Sequence, residues 1–109
     1  MSKIIRTTKA NWETSNEKGE PVIQEITVQY KGQSIAEIKQ YMAEVDAKTK
    51  NDPDGIFFPI IDTLVRRIHR IPELLKDKAP TVEWLEDQDV ANLNAIKDAI
   101  HANDNPEKK

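Results

Sequence analysis

Ile26-Thr27-Val28-Gln29-Tyr30-Lys31-Gly32-Gln33-Ser34-Ile35-Ala36-Glu37-Ile38 decides the fold, because its periodicity changes in the middle. From Pro21 to Lys31, Val22, Ile26, Val28 and Tyr30 fall on one side. Glu25, Thr27, Gln29 and Lys31 fall on the other. That alternation is the signature of a half-buried strand. Gly32 and Gln33 end it. Ser34-Ile35-Ala36-Glu37 then has the form of a capping box, in which a serine and a glutamate satisfy each other's backbone N–H groups at a helix start. Ile35, Ile38, Met42 and Val45 follow at spacings of three and four, which predicts an amphipathic helix to about Lys50. A strand feeding directly into a helix points to an α+β domain.

Upstream, Lys3 to Thr14 is a weaker strand, with Ile4, Ile5, Thr7, Thr8 and Trp12 as its β-favouring residues. Ser15 to Glu20 is polar with one glycine, so the two strands read as a β-hairpin with a longish, mobile loop. Two strands are marginal in water and require helices on one face. Downstream, Asn51-Asp52-Pro53-Asp54-Gly55 is the clearest break. Phe57, Ile60, Ile61, Leu64, Val65, Ile68 and Ile71 then predict one helix with a wide apolar face. Pro59 sits in its first turn and Pro72 ends or bends it. Pro72 to Pro80 reads as a turn with a short helical piece. Thr81 caps a short helix carrying Val82, Trp84 and Leu85. Asp89 caps a last helix striped by Val90, Leu93, Ile96 and Ile100. The expected architecture is an N-terminal β-hairpin packed on a small bundle of three to four helices. It forms one domain over 1–102 with a flexible tail over 103–109.

Composition narrows function by exclusion. The chain has 109 residues, a net charge of −3 and no cysteine. Its size suits one core. Disulfides, thiol nucleophiles and cysteine-based zinc sites are ruled out by composition. A pI of about 5.4 argues against non-specific binding to nucleic acid. No apolar leader is visible, and the most apolar stretch, Ile56 to Val65, is too short to span a bilayer. A cytoplasmic protein without a membrane partner is the expectation.

The chemistry-bearing signals are weak. Aligning Gly55 with the invariant glycine of a calcium loop puts Lys50 at the first ligand position and Ile61 at the bidentate one, so two essential oxygens are missing. His69 and His101 lack metal or nucleophile spacing. Glu83, Glu86, Asp87 and Asp89 crowd together on what reads as an outer helix face. Three glycines form no phosphate cradle. No cofactor is implied. What remains is a candidate partner-binding group. Phe58 lies off the main apolar stripe and reads as a neighbour of Arg66 and Asp62, a composition suited to an interface anchor. Arg66, Arg67 and Arg70 form the one basic run, either a solvated helix face or a dock for an acidic surface or phosphates.

The strand-to-helix stretch quoted first, together with Thr81-Val82-Glu83-Trp84-Leu85-Glu86-Asp87-Gln88-Asp89-Val90-Ala91-Asn92-Leu93-Asn94-Ala95-Ile96-Lys97-Asp98-Ala99-Ile100, resembles the tail assembly chaperones of long-tailed bacteriophages. The resemblance spans about residues 20–102 and rests on overall pattern rather than a catalytic motif. It implies a non-enzymatic protein that binds the tape measure protein and recruits tail tube protein during tail morphogenesis in the host cytoplasm. A homo-oligomer is a further expectation, with an exposed strand edge as its route. The alternatives are a small DNA-binding regulator using the Arg66–Arg70 face, and a structural phage protein that stays in its complex.

Overall fold

The computed structural model describes residues 4–55 and 58–104. Two long antiparallel strands, β1 (Ile5–Ser15) and β2 (Pro21–Lys31), pair along their whole length from Ile5↔Lys31 to Ser15↔Pro21. The connection between them runs from Asn16 to Glu20, within the expected segment. The Asn16 side-chain oxygen accepts from the N–H groups of Lys18 (2.9 Å) and Glu20 (3.0 Å), and Gly19 takes the left-handed φ of +78° that closes the turn.

The helices follow the expected order: α1 (Ile35–Lys50), α2 (Pro59–Arg67), α3 (Pro72–Leu75), α4 (Val82–Glu86) and α5 (Val90–Asp104). The Ser34 capping box is present in full: Glu37 N–H donates to Ser34 Oγ (3.2 Å) and Ser34 N–H donates to Glu37 Oε1 (2.9 Å). Pro59 occupies the first turn of α2. Thr81 accepts from Trp84 N–H (3.1 Å) at the start of α4, and Asp89 accepts from Ala91 N–H (2.8 Å) at the start of α5. The fold is α+β.

The long helix expected to run on to Ile71 is corrected. It stops at Arg67, and Ile68–Arg70 form a third strand, β3, antiparallel to β2, giving a sheet ordered β1-β2-β3. Two local effects favour this switch. Pro72 biases Ile71 away from helical backbone. β2 presents unpaired backbone groups at Gln29 that β3 satisfies.

One face of the sheet carries the core. Ala10 and Trp12 of β1 join Ile26, Val28 and Tyr30 of β2 beneath Leu64, Ile68, Ile71, Leu85, Leu93, Ile96 and Ile100. Trp12 stacks on Trp84 with ring centroids 5.9 Å apart. Val22, at the turn end of the β2 stripe, and Val90, at the start of α5, are exposed. α5 starts beside the outer edge of β1, where Asn92 bonds Glu13, and ends at Tyr30. It runs two residues beyond the boundary expected at 102. The Tyr30 hydroxyl accepts from Asn103 (2.6 Å) and donates to Asp104 (3.2 Å), while Arg67 pairs with Asp104 at 2.8 Å. These bonds hold the last turn down. The rest of the expected tail, 105–109, lies outside the described residues, as does Phe57 of the expected α2 stripe.

Candidate interaction site

α1 has a well-formed apolar stripe that faces no core. None of its sixteen residues is buried. Ile35 is 72% exposed, Met42 64% and Ile38 37%. The spacing of Ile35, Ile38, Met42 and Val45 alternates three and four residues, the narrow seam of a helix that packs on another helix. Met42 adds an unbranched, adaptable side chain at its centre.

A different stripe of the same helix holds it to the body. Tyr41, Glu44 and Lys48 lie about 100° around the axis from the apolar seam at 3.6 residues per turn. The Tyr41 hydroxyl donates to the Pro59 carbonyl (3.1 Å) and also meets the Thr63 hydroxyl. The Arg66 guanidinium lies 4.6 Å from the Tyr41 ring centre and pairs with Glu44 at 3.0 Å. Lys48 pairs with Asp62 at 2.7 Å, and that hydrogen bond raises the pKa of its ammonium. The attachment is thus polar and side-chain-mediated, and it leaves the apolar seam uncovered. Between the two stripes, Tyr41, Met42, Val45, Pro59 and Thr63 line a shallow groove.

The four residues expected to bind a partner do not form one patch. Arg66 serves the α1 attachment. Arg67, at the end of α2, donates to the Lys31 carbonyl (3.0 Å), pairs with Asp104 and lies 5.4 Å from the Tyr30 ring centre. Arg70 belongs to β3 and donates to the His69 carbonyl (2.7 Å). The expected basic helix face over Arg66–Arg70 therefore does not exist. The change from helix to strand after Arg67 breaks the periodicity that would align the arginines. Phe58 precedes α2 and is 65% exposed. It lines an apolar cavity of about 270 Å³ with Ile61, Leu85, Val90 and Leu93.

The acidic residues Glu83, Glu86, Asp87 and Asp89 are exposed. Among the described residues, no three His, Cys, Asp or Glu side chains gather as metal ligands. A polar cleft of about 710 Å³ lies between the sheet end, α1 and the end of α5, lined by Arg6, Gln33, Ile38, Arg67 and His101. No described helix is long and apolar enough to cross a membrane.

The α1 stripe was legible in the sequence, but not that it stays outside the core. Its amphipathic pattern is legible, and the ordinary inference is that such a stripe packs on the domain's own core. The available signal was its width: four apolar positions in strict three-four spacing from Ile35 to Val45, narrower than the broad apolar face of α2. No family model, curated protein or solved structure matches the chain.

Proposed function

We propose that this protein is a non-enzymatic assembly chaperone that uses the exposed seam of α1 to cover an amphipathic helix of its client. The observation that carries the reading is a sixteen-residue capped helix with no buried residue and three large apolar side chains in solvent. A contiguous exposed apolar stripe marks an interaction surface. Anchors spaced at i, i+3, i+7 and i+10 suit a helical partner. The resemblance to tail assembly chaperones supplies the partner class: the tape measure protein as client, with tail tube protein recruited to the complex, in the cytoplasm of the infected host. Long helical proteins expose apolar faces until they assemble, and a polar domain clipped onto such a face keeps the chain soluble.

Co-expression with a tape measure protein tests this. The wild-type chain is expected to keep the client in the soluble fraction and to co-purify with it. Ile38→Asp with Met42→Asp is expected to abolish both while leaving the fold intact. A client equally soluble without this protein defeats the reading. Tight, steeply salt-dependent DNA binding in a gel shift would favour a DNA-binding regulator instead.

A further inference from the structure

We infer that β1 pairs antiparallel with β1 of a second copy, across a two-fold axis at Thr8. The starting point is which backbone groups of β1 face away from β2. Both the N–H and the C=O of Glu13 are bonded by the Asn92 side chain, at 2.9 and 2.8 Å. Glu13 therefore points its backbone outward. By the alternation of an antiparallel ladder, so do Ile5, Thr7, Lys9 and Asn11. Among the described residues, nothing bonds the outward groups of these four.

The opposite side of the sheet is treated differently. Outward groups of β2 are met by β3 at Gln29. The Thr27 N–H donates to Glu73 (2.8 Å), and the Lys31 carbonyl accepts from Arg67 (3.0 Å). β2 is thus bonded from Thr27 to Lys31 and open, among the described residues, toward the turn at Ile23 and Glu25, and the four open positions of β1 are the longer template for another strand.

The geometry of the open window selects the occupant. It begins at Ile5 and is closed at Glu13 by Asn92, so the free positions are Ile5, Thr7, Lys9 and Asn11. Their centre is Thr8. A two-fold there matches the whole window with itself: Ile5 opposite Asn11, Thr7 opposite Lys9, and each again in reverse. On the core-facing side Arg6 falls opposite Ala10, and Thr8 opposite Thr8. No like charges oppose each other, and a threonine pair is favourable in a sheet. Lys9 bonds Thr27 Oγ1 of its own sheet (2.8 Å). The product is one continuous six-stranded sheet. It does not depend on the client reading.

The absence of cysteine makes the register directly testable. Thr8→Cys places two thiols at a non-hydrogen-bonded pair, where Cα atoms lie about 4.5 Å apart, within disulfide range. Under mild oxidation it is expected to convert to a covalent dimer, while Arg6→Cys stays monomeric because its copies are four residues out of register. Sedimentation of the uncrosslinked protein is expected to show a concentration-dependent dimer. Thr7→Lys, which sets a second ammonium against Lys9 of the other copy, should dissociate it with unchanged circular dichroism. Thr7→Glu should tighten it about fivefold through two cross-strand ion pairs. A monomer at millimolar concentration overturns the inference. So does equal crosslinking at Arg6→Cys and Thr8→Cys, or a dimer lost on Met42→Asp but indifferent to Thr7.

Discussion

The side-chain amide of Asn92 completes the edge of β1 at Glu13, donating to its carbonyl and accepting from its N–H as a neighbouring strand would. Asn92 is the buried polar residue of the core, and α5 is anchored to the sheet through it. Its removal strands two backbone groups under a helix. Asn92→Leu is expected to destabilise the fold by about 2 kcal/mol in urea unfolding. Asn92→Asp is expected to be no better, since a carboxylate cannot donate to the Glu13 carbonyl. Wild-type stability in either variant would show that the pair is incidental.

Arg67 joins three elements through one planar group: the Lys31 carbonyl at the end of β2, Asp104 at the end of α5, and the Tyr30 ring. Its side chain is only 12% exposed. Arg67→Lys keeps the charge but loses the fork and the ring contact. The expected cost is on the order of 1–2 kcal/mol, from the hydrogen bonds a compact ammonium cannot reach together. Hydrogen exchange should locate the loss in the last turn of α5, around 100–104. Uniform loss of protection across the domain would contradict this.

The α1 seam and the core should respond oppositely to polar substitution. Met42→Asp alters a side chain that touches little, and its effect on stability is expected within about 0.5 kcal/mol. Ile96→Ala removes a fully buried side chain and is expected to cost about 2–5 kcal/mol. Thermal melts of the two variants compare them directly. A large loss in Met42→Asp would mean that the seam is packed in solution.

Glu73 gives the fold an acid-sensitive contact between α3 and β2. Partial burial raises its pKa, but hydrogen bonds from the Thr27 N–H and hydroxyl, both 2.8 Å, outweigh that, and the net pKa is lowered. A carboxylate with a depressed folded pKa contributes stability above its unfolded value, about 4.3. That contribution fades as pH falls through the folded value. Glu73→Gln is therefore expected to be less stable than wild type near neutrality and to converge with it only as pH falls through the depressed folded value. Urea midpoints measured across this range check the sign. A gap that stays constant with pH would assign the effect to shape, not charge.

Local signals were well preserved in the chain. Ser34 and Glu37 define a helix start within four residues, and the structure places that box where the spacing requires it. Pro59, Thr81 and Asp89 mark three further starts by the same short-range chemistry. The β2 alternation identified Ile26, Val28 and Tyr30 as core, and all three are fully buried.

Long-range competition was not legible. Ile68 suits a helix stripe and a buried strand equally well, and only the free edge of β2, some forty residues earlier, decides for the strand. That decision also scattered Arg66, Arg67 and Arg70, so a basic run continuous in sequence became three separate attachments. The amphipathic pattern of α1 specifies that one face prefers to leave water, but not which surface will cover it. The sequence by itself determined the capped helices, the paired strands and their apolar faces, because capping and periodicity act within a few residues. Only the tertiary structure decided that the core closes over the sheet with α2 to α5 and leaves the α1 seam outside. Which apolar face finds a partner within the chain depends on how many faces one small core can accommodate.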